Sequence, residues 1–403
     1  MTDWGAEAAR LLKDLSKISE PGPGVTRLPF TPEHRAALDL LTARMTAAGL
    51  QVTLDHAGTL VGRREGPPGA GTLLMGSHQD SVRQGGAYDG IMGVVLPLLA
   101  LEKLTAEGAD LPFAVEILAF ADEEGVRFPT ALVGSRALAG TFDPAVLEMT
   151  DNSGVSLRAA MRAFGLKPDE IPTLRRDRAA VIGFVETHIE QGPVLEREEQ
   201  PVGVVTAICG IERHQIKLIG ETGHAGTLPM EGRRDALVGA ATIVSEVNQL
   251  ARETPDLRGT VGALAVSPNA VNAVPGCVTL TAELRSPQDE VREKAGEALH
   301  RFAAGLAAKT GLQVTCERTY SQTAQPCSPE LTRRLRRAAE KRAGHCIALP
   351  SGATHDASAL ADLCPIAMLF VRCRDGVSHN PAEHASAADM GVAVEVLAEA
   401  LQL

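Results

Sequence analysis

Aromatic residues are scarce in this chain of 403 residues, which has one Trp, two Tyr and nine Phe. The core must therefore be built mainly from Leu, Val, Ile and Ala, within an ordinary globular hydrophobic content of 44%. No apolar run approaches the ~20 residues that a membrane-spanning helix needs. The stretch M-T-D-W-G-A-E-A-A-R also lacks the basic and apolar segments of a signal peptide. We therefore expect a cytoplasmic protein with no membrane partner.

Long runs of Lys or Arg are also missing, and the formal net charge is −11. A protein that binds the phosphate backbone would carry a basic face, so the sequence predicts no nucleic-acid partner. The seven cysteines are odd in number and scattered, and none forms a C-x-x-C pair. Reduced thiols are therefore expected, and disulfides are not.

The length of the chain exceeds one typical domain and predicts two. Apolar runs at 72–76 and 113–120 are typical of strands buried on both faces, and the segment between them predicts a buried helix that contains Pro97. Strand, helix and strand in this order predict a parallel α/β sheet with right-handed crossovers. Further strands are expected at 184–190 and 365–371.

From about residue 211 the pattern changes to the order β-α-β-β-α-β. This order is the split βαβ layout of a ferredoxin-like domain. After about residue 325 the α/β pattern resumes. We therefore expect a discontinuous α/β domain of residues 1–210 and 326–403, into which a ferredoxin-like domain of residues 211–325 is inserted.

Histidines and carboxylates recur where the predicted strands end. The segments that carry them are G-S-H-Q-D-S, A-Y-D-G, A-D-E-E-G, E-T-H-I-E-Q-G and G-V-S-H-N-P. A single histidine at a strand end is more often structural than functional. Ligands of open α/β sheets bind at the carboxyl ends of the strands, however, so five such segments at one edge indicate a metal site.

The residue types at these ends restrict the metal. Imidazole and carboxylate groups without a thiolate suit Zn²⁺, Mn²⁺, Co²⁺ or Ni²⁺. A bridging carboxylate can hold two such ions ~3.5–4 Å apart, the arrangement that aminopeptidases and phosphatases use for hydrolysis. The pattern therefore favours metal-assisted hydrolysis.

Six stretches in order along the chain carry a resemblance to a known family. They are G-S-H-Q-D-S-V-R-Q-G-G-A-Y-D-G, F-A-D-E-E-G-V-R-F, E-T-H-I-E-Q-G-P-V-L-E, G-H-A-G-T-L-P-M, N-A-V-N-A-V-P-G and G-V-S-H-N-P-A-E. The chain resembles the di-zinc aminoacylase/carboxypeptidase metallopeptidase superfamily. Within it, the chain is similar to the amidase branch of N-carbamoyl-L-amino-acid hydrolases, β-ureidopropionases and allantoate amidohydrolases. Peptidase and deacylase members usually carry Asp or Glu where His188 stands, which favours the amidase branch.

The resemblance implies two divalent metal ions per subunit, with Zn²⁺ expected first and Mn²⁺, Co²⁺ or Ni²⁺ as alternatives. Asp89 would bridge the two ions. His78 and His188 would complete one site, and Glu124 and His379 the other.

The resemblance also implies a base and supporting groups around these ligands. Glu123 would be the general base that takes a proton from the attacking water. The Asp80 carboxylate would fix the imidazole tautomer of the first histidine ligand, unless it caps a turn. His355 and Asp356 would support the ligands, with a helix cap as the alternative for Asp356. We expect Asp122 to be a structural hydrogen-bond acceptor.

A second polar set falls in the inserted domain. The resemblance implies that His224 reaches an active site, often that of the dimer partner, and stabilises the developing oxyanion. Asn272, Arg285 and Arg213 would hold the carboxylate of the substrate, with a surface charge as the alternative for each arginine. Gln191 would support a ligand or contact the substrate, and a surface role is the alternative.

Together these residues imply a metal-dependent amidohydrolase that cleaves the linear C–N bond of N-carbamoyl-L-amino acids or related ureido acids. The alternatives are an allantoate amidohydrolase, then an N-acyl-amino-acid deacylase or dipeptidase, then a non-catalytic binding protein of the same fold. The expected partners are a small carbamoyl or ureido acid and a second copy of the chain. The inserted domain would serve as lid and dimer contact.

Overall fold

The computed structural model describes residues 2–402. The chain forms two compact units, which we call unit 1 (Met1–Thr206 and Pro326–Leu403) and unit 2 (Ala207–Gln325). Among the described residues no helix has the length and apolar character needed to cross a membrane.

The helices begin and end as follows. They are α1 (Trp4–Ser16), α2 (Pro32–Ala47), α3 (Ile91–Ala106), α4 (Val133–Ala139), α5 (Leu157–Ala163), α6 (Val194–Arg197), α7 (Ala236–Glu253), α8 (Asp289–Thr310), α9 (Pro329–Ala343), α10 (Asp356–Leu360) and α11 (Ala387–Gln402). Short 3₁₀ turns cover Pro144–Glu148, Pro168–Leu174, Arg178–Ala180 and Arg374–Gly376.

The strands are β1 (Gln51–Leu54), β2 (Leu60–Arg64), β3 (Thr72–His78), β4 (Ala114–Phe120), β5 (Val181–Ile189), β6 (Val202–Ile208), β7 (Gly210–Ile219), β8 (Arg258–Ser267), β9 (Cys277–Ser286), β10 (Gln313–Gln322), β11 (Gln325–Pro326), β12 (Ile347–Ser351) and β13 (Ile366–Val371).

Unit 1 is built on a nine-stranded mixed sheet in the order β1-β2-β4-β3-β5-β13-β6-β11, with β12 also paired to β6. The pairs β4–β3, β3–β5 and β5–β13 are parallel, as the sequence predicted. The pairs β1–β2, β2–β4 and β13–β6 are antiparallel, so the prediction of a parallel sheet was wrong at the flanks. The loop at 55–59 is too short for the crossover that a parallel β1–β2 pair would require.

Helix α3 lies directly against the central strands. Gly93 allows this approach, because a Cβ atom there would lie 2.2 Å from the carbonyl oxygen of Thr187 and 2.6 Å from the Cβ of Ser77. Pro97 lies inside this helix, as the sequence predicted, and every residue from Ile91 to Leu101 is buried. The short contact fixes the start of α3 beside the ends of β3 and β5.

Unit 2 runs β7-α7-β8-β9-α8-β10, and its four strands form an antiparallel sheet in the order β10-β7-β9-β8. Along β7 the residues from Glu212 to Ile219 alternate between buried and exposed. The buried positions join the apolar residues of α7 and α8 in one core, which includes Ile216, Leu218, Ile243 and Leu299. One face of this sheet is therefore covered by the two helices.

Candidate metal centre

The predicted ligands of unit 1 come from the ends of neighbouring parallel strands. His78 is the last residue of β3, so this strand is two residues longer than its apolar run suggested. His188 is the last but one residue of β5, and Glu123 and Glu124 follow β4 closely. Because parallel strands share a carboxyl edge, these side chains meet at one side of the sheet.

Asp89 lies between three imidazoles. Its Oδ1 atom is 3.1 Å from Nε2 of His188 and 3.5 Å from Nε2 of His78, and its Oδ2 atom is 3.3 Å from Nε2 of His379. Burial raises the pKa of Asp89, but the charges and hydrogen bonds of the imidazoles outweigh burial and hold that pKa well below its usual range. One oxygen of this carboxylate thus faces His78 and His188, and the other faces His379.

Glu124 completes the second group. Its Oε1 atom is 3.7 Å from Nε2 of His379, and within residues 2–402 this buried oxygen has no hydrogen-bond partner. One ligand atom from each residue lies within 4.8 Å of the others in His78–Asp89–His188 and in Asp89–Glu124–His379. The five predicted ligands therefore form two triads that share Asp89.

Glu123 lies beside the first triad and is buried, with Oε2 3.9 Å from Nε2 of His78. Burial raises the pKa of Glu123 well above its usual range, and the charge of Glu124 adds to this rise, whereas His78 lowers it. A carboxylate with a raised pKa has the proton affinity that a general base requires.

Asp80 contacts the site through atoms other than those expected. The Nδ1 atom of His78 lies 2.9 Å from the backbone carbonyl oxygen of Asp80, whereas the Asp80 carboxylate is 3.9 Å away. That carboxylate instead accepts hydrogen bonds from the backbone N–H groups of Glu123 and Glu124, both at 3.2 Å. Asp80 thus orients an imidazole by its backbone and fixes the turn after β4 by its side chain.

Asp122 corrects one prediction. Both oxygens of its carboxylate are buried and accept no hydrogen bond from the described part of the chain, so the predicted role as a structural acceptor was wrong. Burial raises the pKa of Asp122 well above its usual range, and the charge of Asp80 adds to this rise. The backbone of Asp122 is left-handed, with φ 59°, a conformation in which Asp is more common than most other residues.

The sequence model of peptidase family M20/M25/M40 matches residues 74–403. The chain belongs to this M20 family. An N-carbamoyl-L-amino acid amidohydrolase of Geobacillus stearothermophilus is 41% identical over 97% of both chains. An allantoate deiminase of Arabidopsis thaliana is 36% identical over 98% of this chain and 82% of its own. A hydantoinase/carbamoylase-family amidase of Burkholderia multivorans superposes with a TM-score of 0.93, at 34% identity over 98% of this chain and 97% of its own.

His355 and Asp356 lie close to the M20 centre but bond differently from each other. The His355 ring packs edge-on against His188, with centroids 4.5 Å apart, and its Nε2 lies 2.7 Å from the Ser351 hydroxyl. Burial lowers the pKa of His355 well below its usual range, so this imidazole is neutral. Asp356 is the first residue of α10, the cap position is taken by His355, and within residues 2–402 no side chain caps this helix, so the helix-cap alternative was wrong.

Three polar groups behind Asp89 hold it in place, and the sequence reasoning missed two of them. Gln191 donates from Nε2 to Asp89 Oδ2 at 2.9 Å and to the Ser378 hydroxyl at 3.0 Å. The Ser378 hydroxyl in turn donates to the same oxygen at 2.8 Å. Glu383 Oε1 accepts from the backbone N–H groups of Tyr88 and Asp89, at 2.9 and 3.0 Å. Ser378 and Glu383 both lie in the stretch G-V-S-H-N-P-A-E, close to the predicted ligand His379.

The sequence-predicted residues of unit 2 fall into two groups. Arg213 and Arg285 both donate from Nε to the carboxylate of Glu283, at 2.6 and 2.7 Å. His224 pairs with Ala273 in an isolated β-bridge, and the carbonyl of Asn272 accepts from the N–H of Ala225 at 2.9 Å. The G-H-A-G and N-A-V segments therefore lie side by side, and both arginines share one acidic partner.

Proposed function

We propose that this M20 protein is a metal-dependent amidohydrolase that cleaves the linear C–N bond of N-carbamoyl-L-amino acids or closely related ureido acids. The observation that carries the proposal is the position of Asp89, whose Oδ1 faces His78 and His188 while its Oδ2 faces His379. The similarity to relatives named N-carbamoyl-L-amino acid amidohydrolases supports the substrate class.

The residues fit a pair of divalent ions. The two triads contain imidazole and carboxylate donors only, and the unpartnered Oε1 of Glu124 is a buried oxygen that a cation would satisfy. His78 and His188 would hold one ion, Glu124 and His379 the other, and Asp89 both. When bound, the ions supply Lewis acidity, which lowers the pKa of water and polarises a carbonyl group. Zn²⁺ is the first choice, and Mn²⁺, Co²⁺ and Ni²⁺ suit the same donors.

Glu123 moves the proton. Its carboxylate takes a proton from the water that attacks the carbamoyl carbon, and it then gives that proton to the leaving nitrogen. The Asp80 carboxylate holds the backbone of Glu123 in place through the 3.2 Å hydrogen bond. The neutral His355 ring packs against His188 and keeps that imidazole oriented.

Unit 2 supplies substrate contacts in this proposal. Residues 211–325 would form a ferredoxin-like lid and dimer contact, and residues 1–210 with 326–403 the catalytic domain. His224 would stabilise the oxyanion, and Asn272, Arg213 and Arg285 would bind the substrate carboxylate, with Glu283 holding the two arginines ready. The cytoplasmic location stays a prediction.

Ammonia release tests the reaction. The purified protein is given an N-carbamoyl-L-amino acid, allantoate, an N-acetyl-amino acid and a dipeptide in parallel, each with and without a chelator. Ammonia is measured for the first two substrates, and newly formed free amino acid for the other two, whose hydrolysis releases no ammonia. We expect chelator-sensitive ammonia release from the N-carbamoyl substrate. Turnover of only the acetylated substrate or the dipeptide would replace the proposal with a deacylase or peptidase.

Allantoate hydrolysis is the second candidate, since relatives named allantoate deiminases align over nearly the whole chain. A kcat/KM for allantoate that exceeds the value for every N-carbamoyl-L-amino acid tested would favour it. A protein that holds metal but turns over none of the four substrates would favour a binding role.

A further inference from the structure

Unit 2 contains a second group of metal-type side chains. His214 lies on β7, Cys316 on β10 and His300 on α8. One ligand atom from each residue lies within 4.8 Å of the others, and Nδ1 of His214 is 3.2 Å from Nε2 of His300. This group, which we call the β7–β10–α8 cluster, shares no residue with the metal centre of unit 1.

The fold places these three residues together. Cys316 is opposite Ile216 in the β7–β10 ladder, two residues from His214, so the thiol and the imidazole lie on the same face of the sheet. That face is the one that α8 covers, because His214 alternates in burial with the exposed Arg213 and Gln215. Two strands and one helix thus each contribute one side chain.

His214 has an unsatisfied polar atom. The residue is 1% exposed, and its Nε2 atom has no hydrogen-bond partner in the described chain. The carboxylate oxygen Oε1 of Glu212 lies 3.8 Å from it, beyond hydrogen-bonding distance. Glu212 is itself held by Arg292 at 3.1 Å and Arg318 at 3.0 Å, so its charge is compensated and it does not need a cation. Nδ1 is thus the nitrogen of His214 that faces His300, and Nε2 lies on the side of Glu212.

We propose that His214, His300 and Cys316 bind one divalent transition-metal ion, with Zn²⁺ as the natural occupant. Two imidazoles and one thiolate are a donor set that Zn²⁺ accepts, and a fourth ligand from solvent completes a tetrahedron. Cys316 and His300 are partly exposed, which leaves room for that water. Binding displaces the thiol proton to solvent, so no oxidant or reductant is required.

A bound ion would link α8 to two strands of the sheet. Without an ion, the hydrogen bond between His214 and His300 joins the helix to β7. The ion would replace this bond by two coordinate bonds and would add a link to β10 through Cys316. Because the unfolded chain holds no such preformed site, the free energy of binding adds to the free energy of unfolding of unit 2. The site is therefore structural, and it does not depend on the reaction proposed for unit 1.

Thiolate coordination gives a spectroscopic test that separates the two centres. The full-length protein is loaded with Co²⁺, whose bond to a thiolate produces an intense charge-transfer absorption in the near ultraviolet. The ligands proposed for unit 1 include no thiolate, so that centre contributes no such band. We expect the band in the unaltered chain and in Asp89→Asn, and its loss in Cys316→Ser and in His300→Ala.

Cys277→Ser is the matched control. Cys277 is also partly buried in unit 2, but it lies on β9 next to Val278, whose side chain is in the core, so it points to the opposite face of the sheet. This variant should keep the band. Retention of the band in Cys316→Ser, or its absence from the unaltered chain, would overturn the proposal.

Metal content and thermal stability provide a second readout. With Zn²⁺ in slight excess, Cys316→Ser should hold about one equivalent less metal than Cys277→Ser and gain less thermal stability on addition of Zn²⁺. Far-ultraviolet circular dichroism identifies any variant that does not fold. Equal metal content in two folded variants would refute the site.

Discussion

At the scale of one residue, Asp89 shows how neighbouring side chains hold a carboxylate of this centre in place. Gln191 and Ser378 donate hydrogen bonds to its Oδ2, and Glu383 fixes its backbone N–H. These contacts leave Oδ1 directed at one pair of imidazoles. A carboxylate that is already held in one orientation loses little further side-chain entropy on binding.

Glu123→Gln should lower kcat by about 10²–10⁴-fold while the metal content stays unchanged, because the amide cannot accept the proton of the attacking water. The measurement combines ammonia release with metal analysis of the same sample. Glu124→Gln is the comparison, since it should lose both metal and activity. A Glu123→Gln protein with full activity would show that another group is the base.

Asp122→Asn should stabilise the protein at neutral pH. The raised pKa of Asp122 means that the folded state binds this proton more tightly than the unfolded chain, which releases it above pH ~4. Each rise in pH above that value therefore lowers the free energy of unfolding of the unaltered chain, and Asn removes this loss. We expect the free energy of unfolding of Asp122→Asn to exceed that of the unaltered chain at pH 7, and the difference to shrink as the pH falls towards ~4.

The measurement is denaturant unfolding at several pH values with both proteins at equal metal content. Asp375→Asn is the control, because Asp375 also has a positive φ of 56° but is exposed. Its effect should stay within about 0.5 kcal/mol. A gain for Asp122→Asn that does not vary with pH would exclude the proposed cause.

At the scale of elements, uniform apolar runs predicted the central strands of unit 1, whereas two short strands at its flank were missed. The runs at 72–76 and 113–120 predicted β3 and β4, and the buried helix between them is α3. Strands β1 and β2 were missed, because β1 has no buried residue and β2 contains Gly62 and two arginines. Their pairing is set by the short loop and by tertiary packing, which local propensity does not record.

Gly93→Ala should destabilise unit 1, because the added methyl group would overlap the carbonyl oxygen of Thr187. Moving α3 away shifts the strands just before His78 and His188. We expect a loss of about 1–3 kcal/mol in unfolding free energy together with weaker metal retention. Chelator competition and denaturant unfolding measure the two effects.

Gly305→Ala is the control for that substitution. Gly305 also lies within a helix, α8, but a Cβ atom there would meet nothing within 4 Å. Alanine should therefore stabilise the protein by about 0.5–1 kcal/mol through its higher helix propensity. A loss of stability of equal size in both variants would show that the contact of α3 is not the cause.

At the scale of the whole molecule, the candidate metal ligands were predictable because the apolar strands and the His, Asp and Glu residues that follow them can be read from the sequence. The groups that hydrogen-bond to those ligands were harder to predict. Asp80 uses its backbone carbonyl where a carboxylate was expected, and Glu383 reaches the backbone of Asp89 from almost three hundred residues away along the chain. Such contacts depend on the packing of the final loops, which a single sequence does not specify.

The proposed dimer predicts the activity of mixed dimers that contain two different inactive variants. If His224 acts in the active site of the partner chain, Glu123→Gln and His224→Ala should each be inactive alone. After unfolding and refolding together, half of the dimers combine the two variants, and each of these restores one site of two. Activity should therefore recover to about a quarter of the unaltered level. Recovery of no activity in mixed dimers would place His224 in the site of its own chain.

Unit 1 has one further property that follows from its sheet. The chain leaves it along β6 and returns along β11, and these strands are neighbours, with the N–H of Cys327 donating to the carbonyl of Thr206 at 3.0 Å. The two cut points of the 207–325 segment therefore lie a few ångströms apart. A short peptide that joined Ile208 to Gln325 would keep all of β6 and β11. We therefore expect that residues 209–324 can be exchanged while the nine-stranded scaffold keeps its connectivity.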